Sequence, residues 1–292
     1  MGRRFHSIAV SRYVFILPGL VLFSFAVLIP FLMGVNIAFT DWNGINTTYN
    51  YIGFENFINL FEDPQLGQPI ANSFAYAFFG LIGNTVVSLS LALLVNNQLL
   101  QKGRLKPYAT LSRTVFFAPV CVSAILTSFV WGYIYREVFR QLFDMKSLLG
   151  MREWVKPAIV GMGLWNSQGI NMLIYYSGLK SIPMDLYEAA TVDGASAFKR
   201  FIHITLPMLM PSFTTCVTLS LTSWFREFAF SLSATNGGPA GASRSMAMYV
   251  YENLFTYYKA GYGQAMAFTF ALFLIVIGRV VSKFFRDREV QL

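Results

Sequence analysis

Charged side chains are missing from six long stretches of this chain, and apolar or small residues fill the gaps. The charge-free windows run 13–40, 64–101, 114–135, 157–179, 201–225 and 260–278. Each has room for the roughly 20 residues that cross a hydrocarbon layer about 30 Å thick. The second window is longer than one crossing. Its start, Pro64 to Pro69, reads as loop, and Asn96-Asn97-Gln98 closes its apolar run. Another weakly charged stretch, 228–243, contains Thr235-Asn236-Gly237-Gly238-Pro239-Ala240-Gly241, a loop sequence whose unpaired backbone does not suit lipid. The pattern therefore predicts six helices, near 13–38, 70–95, 114–135, 158–179, 202–225 and 263–283. The first apolar run outlasts the about 7–15-residue core of a signal peptide, and no small-x-small cleavage site follows before Asp41. It is expected to stay in place as a helix.

Composition sharpens this into an all-α membrane protein. Hydrophobic residues make 55% of the 292, aromatics 17% and charged residues only 12%, with a mean hydropathy of +0.51. Soluble domains are about 25% charged. Disordered, collagenous, nucleic-acid-binding and disulfide-rich secreted classes are excluded by the same figures. Cys121 and Cys216 both fall inside apolar stretches and are expected to be buried free thiols. With six crossings, one face holds 14 Lys/Arg and 5 Asp/Glu, the other 8 and 9. Basic residues favour the cytoplasmic side, so both termini are expected there. The net charge of +8 is then a topology signal and implies no nucleic-acid partner.

Chemistry of the enzymatic kind has little to work with. The two histidines, His6 and His203, have no metal-like partner at helical spacing, and no catalytic cluster or metal site is expected. No G-x-x-x-x-G-K-[ST] phosphate loop is present. No ladder of carboxylates inside the apolar stretches suggests a proton relay. A transporter built on this chain would draw its energy from another chain.

One segment stands apart. Ser181 to Pro211 reads as a short helix, a turn and the entry to the next apolar run. Ser181 suits an N-cap and Pro183 a first helical turn. Asp185 and Glu188 lie where a helix dipole favours acids. Ala189 and Ala190 give a thin face that another surface can approach. Asp193-Gly194 is a turn signal. Pro207 and Pro211 fall inside the apolar run, where neighbouring helices tolerate them. On physical grounds the segment fits an ordinary cytoplasmic linker as well as a docking element.

The run Glu188-Ala189-Ala190-x-x-Asp193-Gly194-Ala195, followed by Ile204-x-Leu206-Pro207 and Pro211, resembles the EAA loop of binding-protein-dependent ABC importer permeases. The resemblance extends along nearly the whole chain. Asp41-Trp42-Asn43-Gly44, Ile52-Gly53-Phe54-Glu55-Asn56-Phe57, Leu179-Lys180-Ser181-Ile182-Pro183, Thr235-Asn236-Gly237-Gly238-Pro239 and Tyr251…Phe255…Gly261-Tyr262-Gly263-x-Ala265 are similar to the MalF/UgpA-like sugar permeases. Unlike the maltose permease, this chain has no extra N-terminal helices and no large external domain. Over 137–152 it lacks the Gly-Leu-Asn pattern of many relatives.

The resemblance implies a single transmembrane permease domain over 1–292 with the MetI-like core of type I importers and a cytoplasmic coupling loop about 181–200. It implies a bacterial or archaeal cytoplasmic membrane and contact with membrane lipid. It implies four kinds of partner: a second homologous permease, two ATPase subunits or one ATPase as a homodimer, an extracytoplasmic solute-binding protein, and a sugar. ATP and Mg would be bound by the ATPases, and this chain would need no cofactor. Glu188, Ala189, Ala190, Asp193 and Gly194 would couple it to an ATPase, with Glu188 against a basic partner residue and Gly194 making the turn. The rival class is a self-sufficient secondary carrier or channel for a small polar solute.

Sugars are held by hydrogen bonds and aromatic faces, so polar and aromatic residues deep in the helices are the candidates. Ser220, Trp224 and Glu227 fall at i, i+4 and i+7, one face of the fifth helix. Resemblance to the maltose permease points to the same three. Trp224 also fits an aromatic belt, and Arg226-Glu227 a surface pair. In the fourth helix, geometry groups Ser167, Gln168, Asn171 and Tyr175, whereas the resemblance favours Asn166, Ser167 and Ile170. The candidates there are Asn166, Ser167 and Asn171. Glu227, with Arg226 beside it, suits an oligosaccharide, or an acidic or phosphorylated sugar where Arg226 faces inward. Gly80 with Gly83, and Gly161 with Gly163, fit close helix contacts.

Overall fold

The computed structural model describes residues 14–96 and 106–289. Arg3, Arg4, His6, Arg12, Asn97, Gln98, Lys102 and Arg104 lie outside the described residues. Regular structure among the described residues is helical, with a single antiparallel bridge between Thr40 and Tyr51. The chain falls into two compact units, one of 1–63 with 250–270 and one of 64–249 with 271–292.

The smaller unit contains α1 (Val14–Ile37) and α2 (Glu55–Glu62). No residue of α1 is buried, which fits an apolar rod solvated by lipid. Its turn Ser24–Leu28 widens just before Pro30, which has no N–H to give the preceding turn. The loop after α1 is fixed by polar groups. The Asn56 amide donates to Ala38 O at 2.9 Å and to Thr40 O at 2.8 Å. The Asp41 carboxylate accepts from Asn50 N at 2.7 Å and from Asn50 Nδ2 at 3.1 Å. These bonds hold its carboxyl below the ordinary carboxylate range, the backbone donor most of all. Gly261 N donates to Trp42 O at 2.8 Å, and a Cβ at Gly261 would overlap Thr40 O.

The larger unit is built on α3 (Gly67–Val95), α6 (Val155–Ser181) and α9 (Met210–Phe225). The buried face of α3 repeats at three- and four-residue steps through Asn72, Ser73, Tyr76, Ala77, Gly80, Asn84, Ser88 and Ala92. Its large apolar residues Phe78, Phe79, Ile82 and Val86 face outward. Small and polar inside, apolar outside is the pattern of a helix packed among helices in lipid.

The stretch expected as one helix over 114–135 is broken instead. Leu111–Cys121, the end of α4 (Lys106–Phe117) with its following turn, meets α5 (Ala124–Phe143) at 102°. Pro119 lacks an N–H, Val122 is extended, and Ser123 caps α5 by accepting from Leu126 N at 3.3 Å. Cys121 lies at this bend and is exposed, against expectation, while Cys216 is buried; both are free. The expected helix over 202–225 is likewise two pieces, α8 (Ala197–Met208) and α9, bent by 66° at Leu209 between Pro207 and Pro211. Ser181 is not an N-cap. It ends α6, its hydroxyl returning to Gly178 O at 2.8 Å, and Pro183 stands at the cap of α7 (Met184–Val192). The loop expected over 228–243 carries a helical turn at Ser231–Thr235. It leads to α10 (Met246–Tyr251) and then to α11 (Ala260–Arg286). Among the described residues α1, α3 and α11 are long and apolar enough to cross a membrane, and each bent pair reaches that length as one span.

Candidate functional site

Gly80 on α3 and Gly163 on α6 open the space that the indole of Trp224 fills. A Cβ at either position would overlap the ring. Trp224 is buried, which removes it from an interfacial belt. Beside it lies a cavity of about 520 Å³, walled by α3, α6, α9 and the 226–230 turn. All six sequence candidates, Asn166, Ser167, Asn171, Ser220, Trp224 and Glu227, line it. Asn84, Ile170, Ser223 and Arg226 line it as well. Its α6 wall, Gly163 to Asn171, is the middle of that helix.

The polar wall is largely wired to itself. Ser220 Oγ accepts from Asn171 Nδ2 at 2.6 Å and from Asn84 Nδ2 at 3.0 Å. Ser88 donates to Asn84 Oδ1 at 3.1 Å. Asn84 and Ser88, one turn apart in an apolar helix, are a polar pair visible in the sequence that the reading of the other helices missed. The Asn166 amide faces the other way, onto Pro119 O at 3.0 Å, Val122 O at 2.9 Å and Thr127 Oγ1 at 3.2 Å. It braces the 102° bend, adding to the bond that Val122 N already makes to Pro119 O at 3.0 Å.

Two geometric expectations change here. The fourth-helix arc held Gln168 and Tyr175, and neither lines the cavity; Tyr175 packs with Ala92, Met172 and Cys216. Glu227 is not on the face of the fifth helix, because α9 ends at Phe225. Its chain turns instead, Glu227 N donating to Trp224 O at 3.2 Å. The Glu227 side chain is buried, and its carboxylate accepts from Phe230 N at 2.8 Å, from Ser231 N at 3.2 Å and from the Ser231 hydroxyl. It caps the turn at Ser231–Thr235 and makes no surface pair with Arg226. Among the described residues no group of three His, Cys, Asp or Glu is placed to hold a metal ion.

The second group of candidates is on the 181–200 segment. Glu188 and Ala189 are exposed on α7, and Ala190 is half-buried. Met184, Val192 and Phe198 are large apolar side chains exposed beside them. Asp193 ends α7 and Gly194 turns the chain with φ +73°. Two side-chain bonds lash α7 to α8: Tyr187 OH with Thr205 Oγ1 at 2.9 Å, and Arg200 Nη1 to Thr191 Oγ1 at 2.8 Å. The sequence reading had not singled out Tyr187 or Thr205.

Residues 103–288 match the family described as "Binding-protein-dependent transport system inner membrane component". The probable starch degradation products transport system permease protein AmyD of Thermoanaerobacterium thermosulfurigenes is 30% identical, over 99% of this chain and 98% of that protein. The trehalose/maltose transport system permease protein MalF of Thermococcus litoralis is 28% identical, over 94% of each. Among solved structures, the bacterial alginate ABC transporter in complex with its alginate pentasaccharide-bound periplasmic protein has a similar chain. The TM-score is 0.79 at 20% identity, covering 99% of both.

Proposed function

The chain belongs to the binding-protein-dependent transport system inner membrane component family, and on that premise we propose that it is one permease subunit of an ATP-driven sugar importer. The observation that carries this reading is the gathering of the six candidate residues around one cavity at mid-height of α6. A polar, aromatic-walled site between helices near the membrane midplane is where alternating-access carriers hold their solute. The named substrates of the relatives, starch degradation products and trehalose or maltose, support a sugar or oligosaccharide.

In this reading six helical spans cross the cytoplasmic membrane of a bacterium or archaeon, with both termini inside. The three long apolar helices and two bent pairs support five of them. The sixth is α6, whose 27 residues make a rod of about 40 Å. An external binding protein delivers the sugar, a second permease closes the cavity, and one of the two ATPases takes α7 in a cleft. Exposed Glu188, framed by exposed Met184 and Val192, is the contact with a basic ATPase residue. ATP-driven closure turns the 181–200 segment, and the permease pair rocks between inward and outward openings. Hydrolysis belongs to the ATPases; this chain only moves.

The test is purification through a tag on this chain, in mild detergent, from its own membrane. Recovery of a second permease and a P-loop ATPase, with ATPase activity raised by loaded binding protein, is the expected result. A chain recovered alone and active in liposomes without ATP overturns the reading in favour of a secondary carrier.

A further inference from the structure

Arg226 stands at the C-terminal end of α9 and on the wall of the Trp224 cavity. Its side chain is exposed, and among the described residues no carboxylate pairs with it. Glu227 next to it does not answer the charge, since its carboxylate turns inward onto Phe230 N, Ser231 N and the Ser231 hydroxyl. The wall therefore carries one cation facing open space and no acid free to meet it. A free charge beside the middle of a membrane helix is costly unless it faces water or a ligand. The α9 dipole favours a cation at this end, yet that attraction leaves the guanidinium donors open. A second polar group on the same wall is also unanswered: Ser167 Oγ is buried and has no hydrogen-bond partner.

A guanidinium presents a planar fork of donors that matches a carboxylate, sulfonate or phosphate. Resting on the importer reading above, we propose that the cavity takes an acidic sugar. Arg226 holds its anionic group, and Ser167 donates to one of its oxygens. Glu227 shapes the wall through the 227–231 turn and leaves the positive charge of Arg226 uncancelled.

The complex purified through this chain, with its own partner subunits and binding protein, is placed in ATP-loaded liposomes. Uptake of radiolabelled digalacturonate, a hexose 6-sulfonate and a hexose 6-phosphate is compared with uptake of uncharged galactobiose. The three acidic probes separate the groups that Arg226 can hold. At least one is expected to enter about tenfold faster than galactobiose, and Arg226→Gln to cut that ratio by about tenfold. Arg226→Lys, a point charge without the fork, should cut it less. The ratio is the readout because a folding defect lowers both rates alike. A ratio unmoved by Arg226→Gln overturns the proposal. So does ATP-dependent uptake of galactobiose in preference to every acidic probe, which leaves the importer reading standing. No ATP-dependent uptake of any acidic probe by the wild-type complex overturns the proposal, whereas the importer reading falls only if loaded binding protein fails to raise the ATPase activity of the complex.

Discussion

Replacing Asn166 by Leu removes a side-chain amide that faces three acceptors, at 3.0 Å, 2.9 Å and 3.2 Å. An amide nitrogen carries two protons, so two of the three are satisfied at a time. Two of them, Pro119 O and Val122 O, belong to the stretch where the chain turns 102° between α4 and α5. Pro119 O keeps its bond from Val122 N at 3.0 Å, so Val122 O is the backbone acceptor that loses the amide; a net hydrogen bond contributes about 0.5–1.5 kcal/mol, and a carbonyl left dry costs about 1–3 kcal/mol. Asn166 is only half-buried and also borders the cavity. Water therefore takes up part of the loss, and Asn166→Leu should cost about 2 kcal/mol. For a chain of 292 residues that lowers the melting temperature by about 3 °C. Asn166→Asp keeps the shape but puts oxygen where the donor stood, and should destabilise at least as much. Thermal unfolding of the detergent-solubilised complex, followed by tryptophan fluorescence, measures both. If Asn166→Leu melts with the wild type and only sugar uptake is lost, the amide serves the ligand and the bend argument is refuted.

Three other outcomes are expected. Gly80→Ala pushes a methyl into the Trp224 ring, which Gly163 hems in from α6; overpacking of this kind costs about 1–3 kcal/mol, and an unchanged melting temperature would mean that the indole has room to move. Glu188→Lys reverses the exposed acid that directly precedes the alanine pair on α7, and should leave ATP hydrolysis running without uptake; coupled transport at wild-type rates would count against the α7 contact. Asp41 has a lowered pKa because Asn50 donates to it, so its hold on the loop is complete above the ordinary carboxylate range and is lost as pH falls through the lowered value. The hydrogen-exchange protection of Asn50 should accordingly drop on acidification in the wild type and lose that dependence in Asp41→Asn.

The helices were legible because charges in a membrane chain are confined to their ends. The bends were not, although Pro119, Pro207 and Pro211 were in view. A proline in an apolar run removes one hydrogen bond, and the run survives or breaks according to what receives the freed carbonyl. The Pro119 bend is instead braced from a distance: the Asn166 amide, 47 residues away, donates to Pro119 O, which Val122 N also reaches at 3.0 Å, a partner no local pattern reveals. The same limit governs the cavity. Helical spacing put Ser167 and Asn171 on one arc with Gln168 and Tyr175, but spacing says nothing of which neighbour covers each position. Tyr175 is buried among Ala92, Leu209 and Cys216, while Asn166, off the arc, reaches the bend. Glu227 reached the cavity by a turn and not by the helical face assigned to it. Trp224 was legible as a candidate by its position; Gly80 and Gly163, expected to serve close helix contacts, are the walls of its slot.

One continuous stretch connects the two groups of candidate residues. The segment from Met184 to Glu227 begins on exposed α7, is lashed to α8 by Tyr187 and Thr205, bends at Leu209, and ends on the cavity wall at Ser220 and Trp224. Whether a bend passes motion on or absorbs it depends on how it is held. A free proline hinge would absorb a displacement of α7 before it reached α9. Leu209 is not free: it is buried in one cluster with Met172, Tyr175, Leu179 and Cys216. Close-packed interiors deform little and transmit strain. In the proposed stroke, α8 and α9 therefore turn together as a bent rod, with Leu209 as its packed elbow and Trp224 at its far end.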